Sequence, residues 1–298
     1  MSIGRSKRWL IVAAAMALVA TVTGCGFEAG PSAFEDQEIE DSNDGPGEPS
    51  GDELGGGGGA GTMAGTWLKV HQASSCVLGQ EQVSTAYYLV EIEEDGSALR
   101  EDRRLCHLEA SAVLGFRPVA SPETLASVQF PQVDRAIVTS LLPGAYYASS
   151  TAVGLWGIEL DDPLVEAVPA DPEDERVVDG EGDGNPGVTL ELEGSGCERY
   201  MGQRQIVRLY GQLEAPNDVR GGSVHTAEVE VYGASGSVCQ LAPQVSSNDR
   251  DSLFRMVRVD GLGGAVSARE DDEPIRCSDI EQFFGQVLEL REPDDDNC

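Results

Sequence analysis

Tyr87-Tyr88-Leu89-Val90-Glu91-Ile92-Glu93, then Asp95-Gly96, then Ala98 through Glu109, is the stretch on which the fold turns. Two runs rich in aromatic, β-branched and alternating polar residues flank an Asp-Gly, a dipeptide that readily takes the positive φ angles of a tight hairpin turn. A long β-hairpin is the expectation. Working outward, Trp67–Gln72 reads as a strand before it, and Val188–Glu193, Gln203–Leu213, Val224–Tyr232 and Leu253–Val259 read as strands after it. Within Val224–Tyr232, Ala227, Val229 and Val231 fall on one face and Glu228 and Glu230 on the other. That period of two is the mark of an antiparallel sheet with one solvated face.

Helical periodicity is scarce. Ser278 followed by Glu281 forms a capping-box pattern, and Ile280, Phe283, Phe284 and Val287 repeat at helical spacing behind it, so a single C-terminal helix is expected there. Residues 62–298 therefore read as mainly β: an antiparallel β-barrel or sandwich with one C-terminal helix. A seam at 161–187 is a candidate division, because that stretch holds ten acidic residues, one Arg and four Pro.

Upstream, the composition changes. Residues 26–61 carry ten acidic residues and no Lys, Arg or His, with Pro31, Pro46, Pro49 and the run Gly55 to Gly59. Low hydrophobicity with high net charge is the signature of disorder, so residues 25–61 are expected to be a disordered tether, averaging roughly 30 to 35 Å end to end as a flexible coil. Before it, Arg5, Lys7 and Arg8 precede an uncharged apolar run from Trp9 to Ala20, and Val22-Thr23-Gly24 leads into Cys25. A run of about a dozen residues falls short of the roughly 20 that span a bilayer and suits a secretory signal.

This order of positive, apolar and small residues before a Cys resembles the signal peptide and lipobox of bacterial lipoproteins. The resemblance implies that residues 1–24 are removed and that Cys25 becomes an N-terminus carrying a diacylglyceryl lipid. It places the protein in the cell envelope, lipid-anchored to a membrane. Gly26, where Asp would signal retention, implies the outer membrane of a Gram-negative bacterium.

Cysteine and charge agree with export. Apart from Cys25, the cysteines are Cys76, Cys106, Cys197, Cys239, Cys277 and Cys298, an even number that reads as up to three disulfides with 15 possible connectivities. One pair is open to remaining as thiols, because Cys298 is the last residue. A zinc site is disfavoured, since no CxxC occurs and the six are widely scattered. The chain holds 20 basic and 52 acidic residues, a formal charge of -32. Removing Arg5, Lys7 and Arg8 leaves 17 basic against 52 acidic residues and Lys69 as the only lysine. Such a surface repels phosphate backbones, which argues against nucleic acid as a partner.

Gly65-Thr66-Trp67 resembles the GxW that opens the barrel of lipocalins, a family with lipid-anchored bacterial members. The resemblance implies a late-strand Arg packed over the Trp, with Arg255 or Arg258 as the match, and a small apolar ligand as cargo. A cation over an indole face contributes ~0.5 to 2 kcal/mol. The folded region is longer than a lipocalin, and the family's middle motif is not evident.

Asp179, Glu181, Asp183 and Asn185 place oxygen side chains at alternate positions with glycines between. This resembles the first half of an EF-hand or dockerin-like calcium loop, where a hard cation gathers oxygens. The twelfth position is Leu190, where that family has a bidentate Glu, and Glu191 stands one residue late. A plain acidic turn accounts for the same residues. Catalytic motifs are scarce. Gly194-Ser195-Gly196 lacks the full GxSxG elbow, His71, His107 and His225 are far apart with no HExxH, and the Gly55 to Gly59 run lacks the Lys of a phosphate cradle. The expectation is a membrane-anchored envelope lipoprotein with a non-catalytic binding or structural role. The alternatives are a lipocalin-like carrier and a calcium-dependent adhesion module; an envelope enzyme comes last and would require a His and a carboxylate to meet a Ser in one cleft.

Overall fold

A computed structural model describes residues 62–95, 98–240, 244–270, 273–289, 291–294 and 298. Cys25, the tether and the hairpin residue Gly96 lie outside the described residues. In chain order the elements are β1 (Gly65–Val77), β2 (Gln80–Asp95), β3 (Ala98–Ala110), β4 (Arg117–Ala120), α1 (Pro122–Ser127), β5 (Asp134–Val138), β6 (Tyr146–Ser149) and β7 (Ala152–Trp156). They continue with β8 (Val188–Glu193), β9 (Cys197–Ala215), β10 (Asp218–Ala234), β11 (Val245–Ser247), β12 (Leu253–Arg258) and α2 (Cys277–Ile280). All described residues belong to one unit, Gly56–Cys298.

Eight of the strands close a ring, each antiparallel to the next: β1, β2, β3, β5, β6, β9, β10, β12 and back to β1. Closure removes the unpaired edges that an open sheet would leave. The expected hairpin is β2–β3, paired from Asp95↔Ala98 to Ser84↔Ala110 with one irregularity after Tyr87. β1 joins β2 through Leu78-Gly79, whose φ angles of 53° and 75° give the doubly positive turn that matches strand twist. β9 is long enough to pair on one edge with β6, then β7, then β8, and β4 adds to β8. These strands form a flange beyond the ring. Residues 161–187 make the connection from β7 to β8; Gly157 and Arg176 backbone carbonyls accept from Val178 and Glu159.

Alternation sends Trp67, Tyr88, Val90, Leu99, Tyr147, Leu209, Phe254 and Met256 into one buried cluster inside the ring. Fully burying such a side chain contributes roughly 1.5 to 3 kcal/mol. The two inward glycines, Gly211 and Gly221, face each other across β9 and β10, and a Cβ on Gly221 would stand 2.0 Å from the Tyr210 carbonyl oxygen. Only glycine lets the strands bend together at this corner.

The opposite faces of β1 and β2 are also apolar. Leu68, Val70, Tyr87 and Leu89 pack outward against Ile280, Phe283, Phe284, Val287 and Leu288. These belong to a C-terminal strap, which starts at the Cys106–Cys277 disulfide on β3 and ends at the Cys76–Cys298 disulfide on β1. The third bridge, Cys197–Cys239, ties β9 to the 3-10 turn Ser237–Gln240. The expected C-terminal helix is present but short. It begins two residues early, with Asp279 accepting the Arg276 N–H at 2.8 Å. It gives way to a 3-10 turn at Glu281–Phe283, and Gly285 takes a φ of 74°. Stacking of Phe284 on Tyr87, centroids 4.1 Å apart, follows this break and turns the chain along the barrel wall.

Candidate functional site

Charged side chains occupy the middle of the ring. Lys69 lies between Leu68 and Val70, and the period of two points it inward beside Trp67 and His71. Its ammonium donates to Glu101 on β3, which also accepts from the Tyr147 hydroxyl at 2.6 Å. Burial raises the Glu101 carboxyl, but the Lys69 charge and the two donors outweigh it and hold it below its ordinary value. Next to it Arg103 Nε stands 3.0 Å from Asp134 Oδ2, and its guanidinium lies 4.3 Å from the Phe130 ring centroid. For Asp134, burial prevails over Arg103 and the carboxyl is raised. Two cations and two carboxylates thus balance inside an apolar shell, an arrangement tolerated only when each charge has its partner.

One end of the ring is closed by the Trp67 pair. Arg258, opposite Trp67 in the β1–β12 register, lies with its guanidinium 6.0 Å from the indole centroid. It donates to the carbonyls of Thr62 and Ala64 and pairs with Asp260. The Trp67 indole N–H donates to the Met63 carbonyl at 2.9 Å. Of Arg255 and Arg258, Arg258 is the one beside the indole. Arg255 faces outward, binds Asp218 and donates to the Val287 carbonyl of the strap.

At the other end, β1 and β10 bring two distant histidines together, with His71 and His225 ring centroids 6.2 Å apart. His71 Nε2 is 2.8 Å from Ser223 Oγ, and His225 Nε2 is 3.2 Å from Ser75 Oγ. Burial, reinforced by His225, Lys69 and Arg103, lowers His71 to about 3. Burial also lowers His225, against the charge of Asp249. Ser75, His225 and Asp249 follow the order of nucleophile, base and orienting acid. The geometry stops short of that. His225 Nδ1 is 3.6 Å from Asp249, beyond hydrogen-bond range, and 3.4 Å from Ser252 Oγ. Asp249 instead accepts the His225 backbone N–H at 3.1 Å. Each imidazole thus has a serine hydroxyl beside it. His107 is outside, stacked on Phe284 at 5.2 Å and 3.2 Å from Glu109.

Glu181 and Asp183 from the alternating acidic loop line a cleft of about 380 Å³ between the loop, β8 and the segment at Ser121–Thr124, together with Glu123, Glu191 and Glu198. Each loop carboxylate is bonded within its surroundings. Asp179 accepts the N–H groups of Gly182, Asp183 and Gly184 at 2.7 to 3.1 Å. Asp183 accepts from Asn185 and, at 2.7 Å, from Thr189 Oγ1. These bonds hold its carboxyl below the ordinary value although burial opposes them. One Glu181 oxygen accepts from Thr124 and the Thr189 N–H, while its other oxygen is buried without a partner. Asn185 is turned to Asp183. Among the described residues, no group of three or more His, Cys, Asp or Glu side chains is arranged to hold a metal ion, and no helix is long and apolar enough to cross a membrane.

The interior charge pairs escaped sequence reasoning, although one cue was available: Lys69 sits at an inward phase of an apolar strand. No family model, curated protein or solved structure matches this chain.

Proposed function

We propose that this protein is a lipid-anchored envelope protein whose barrel is a filled, rigid body, and that it works by non-catalytic binding through its outer surface. One observation carries the reading: inward side chains engage one another inside the ring, Lys69 and Tyr147 by hydrogen bonds to Glu101, and Arg103 by an ion pair with Asp134. An apolar cargo would have to displace these contacts and leave charges buried without partners, at roughly 3 to 5 kcal/mol for each broken pair. The ordered signal residues ending at Cys25 support the anchor, and the three disulfides are in keeping with an oxidising compartment.

A lipocalin-like carrier is the second reading, favoured by the eight-strand closure and by Arg258 over Trp67. Native mass spectrometry of the exported full chain, extracted in mild detergent without chelator, separates the two. The expected mass is the polypeptide from Cys25 plus its acyl groups, short by six hydrogens for the disulfides. A stoichiometric apolar passenger would overturn the filled-barrel reading, and a calcium adduct lost on chelation would direct attention to Glu181 and Asp183. Absence of acyl mass, or a fatty-acid label that persists in Cys25→Ser, would overturn the anchor.

A further inference from the structure

No described residue covers the outer wall around Tyr210 on β5, β6, β9 and β10, and its composition departs from the rest of the chain. Ile137, Ala148, Tyr210 and Gly222 form one row across the four strands. On one side of that row stand Tyr146, Gln212 and Arg220; on the other stand Arg135, Arg208 and Val224. Ile137 is 53% exposed, Tyr146 47%, Tyr210 43% and Val224 44%. None of these ten positions is acidic, in a chain with 52 acidic residues against 20 basic. The three arginines are exposed and carry no ion pair among the described residues. Elsewhere Arg117, Arg176, Arg204, Arg255, Arg258, Arg269 and Arg291 each engage a carboxylate; Arg104 and Arg250 are likewise exposed with no ion pair among the described residues, one on β3 and the other at the turn Asp249–Asp251.

The hydroxyl end of the Tyr210 ring packs over Gly222. A Cβ at Gly222 would meet the Tyr210 hydroxyl at 2.8 Å and the ring at 3.0 to 3.1 Å. A tyrosine presents a broad ring with few rotatable bonds, at little entropic cost to a binding partner. Tyr and Arg are the residues enriched where protein partners meet, and exposed guanidinium forks match carboxylates in pairs.

We propose that this wall is the docking face for an acidic segment of a protein partner, whose carboxylates pair with Arg135, Arg208 and Arg220 while apolar groups pack on Tyr146, Tyr210, Ile137 and Val224. Charge complementarity selects this occupant. Within the wall, Arg135, Arg208 and Arg220 are exposed among ten positions that include no carboxylate, and guanidiniums without an ion pair match the carboxylates of a short acidic segment. The inference deepens the surface-binding reading and rests on it.

The test is photo-crosslinking in the producing cells, with full-length chain carrying benzoylphenylalanine at position 210 and, as the off-face control, at position 165, where Val165 is 78% exposed. The expected result is a discrete protein adduct from position 210 and none from 165. The attached peptide should be rich in Asp and Glu, and the yield should fall at least about tenfold in Arg208→Glu/Arg220→Glu, as expected for interface arginines. Arg135→Glu on β5 gives a second, independent variant, and unchanged melting temperatures certify both. No adduct, an adduct insensitive to both charge reversals, or a partner peptide without acidic excess overturns the proposal. So does attachment to phospholipid or to a second copy of this chain. The anchor and the filled barrel are read by mass, so their failure is separable from failure of the docking face.

Discussion

The barrel wall is treated in opposite ways on two arcs. Over β1 and β2 the outward side chains include Leu68, Val70, Tyr87 and Leu89, and the chain returns from its C-terminus to cover them. The cover is bonded at both ends, and Glu81 lies beneath it with a side chain 0% exposed, accepting from Arg291 and from the Asp294 N–H. Around Tyr210 on β5, β6, β9 and β10 the outward side chains include tyrosines, aliphatics and arginines, and nothing in the described chain covers them. The first arc shows what apolar wall costs in water when left bare: this chain commits two disulfides to covering it. The second arc is less apolar, which allows it to remain exposed, yet it keeps the residue types that recognise partners.

The comparison breaks first at the strap. Cys76→Ser with Cys106→Ser removes bridges that span sequence separations of 222 and 171 residues, and each is expected to contribute roughly 2 to 5 kcal/mol. Denaturant unfolding should register a loss of that size per bridge, and a dye that binds apolar surface should brighten as Leu68, Val70, Tyr87 and Leu89 are uncovered. Retained stability without dye binding would mean that the cover is held by packing alone.

Acid tests whether both arcs seal the interior equally. His71 has a folded value of about 3 against an ordinary 6.5. Between those values the unfolded chain binds a proton that the folded chain does not, so stability rises with pH through this window. It is lost as pH falls from 6.5 toward 3, at about 1.4 kcal/mol per unit. His225 is lowered in the same direction. Urea midpoints measured at pH 7 and pH 4.5 should fall with acid, and His71→Gln should flatten the dependence. A flat wild-type profile would show that water reaches this end of the ring.

The smallest effect belongs to the bare arc. Tyr210→Ser and Val224→Ser should each change stability by less than about 0.5 kcal/mol, because neither is buried and neither has a structural partner to strand. Melting curves showing a loss above about 1.5 kcal/mol would make this wall part of the fold, and the contrast with the strapped arc would vanish.

How much of this is legible in sequence depends on how local the cause is. The β2–β3 hairpin announces itself through alternation and an Asp-Gly, and Val188–Glu193 is found as a strand with the same limits because Gly and polar residues bound it. β5, β6 and β7 are four or five residues each, too short for a period to emerge. The pairing of β6 and β7 is decided by the length of β9. Two turns were hidden by the same dipeptide: Leu78-Gly79 and Leu114-Gly115 both take positive φ at both residues, although leucine is not a turn former. The cysteine pairing was invisible for another reason. Cys76 and Cys298 are brought together only after the strap is laid. The polar ends of the barrel divide in the same way. Trp67 and Arg258 could be matched through a short motif, whereas Ser75, His225 and Asp249 meet only through the register of β1, β10 and the turn at Asp249–Asp251.

β1 is the seam of the ring. One of its edges is taken by β2, three residues away, but the other waits for β12, whose first residue is Leu253. A chain that leaves the ribosome or a translocation pore N-terminus first therefore exposes this edge for most of its emergence. Cys76 and Cys106 also emerge first, two strands apart on one wall, and both of their proper partners lie in the last 22 residues. In an oxidising compartment the nearest reactive thiol for each is the wrong one. Correct closure is a race between premature oxidation and arrival of the tail, and thiol–disulfide exchange is the chemistry that corrects a false start.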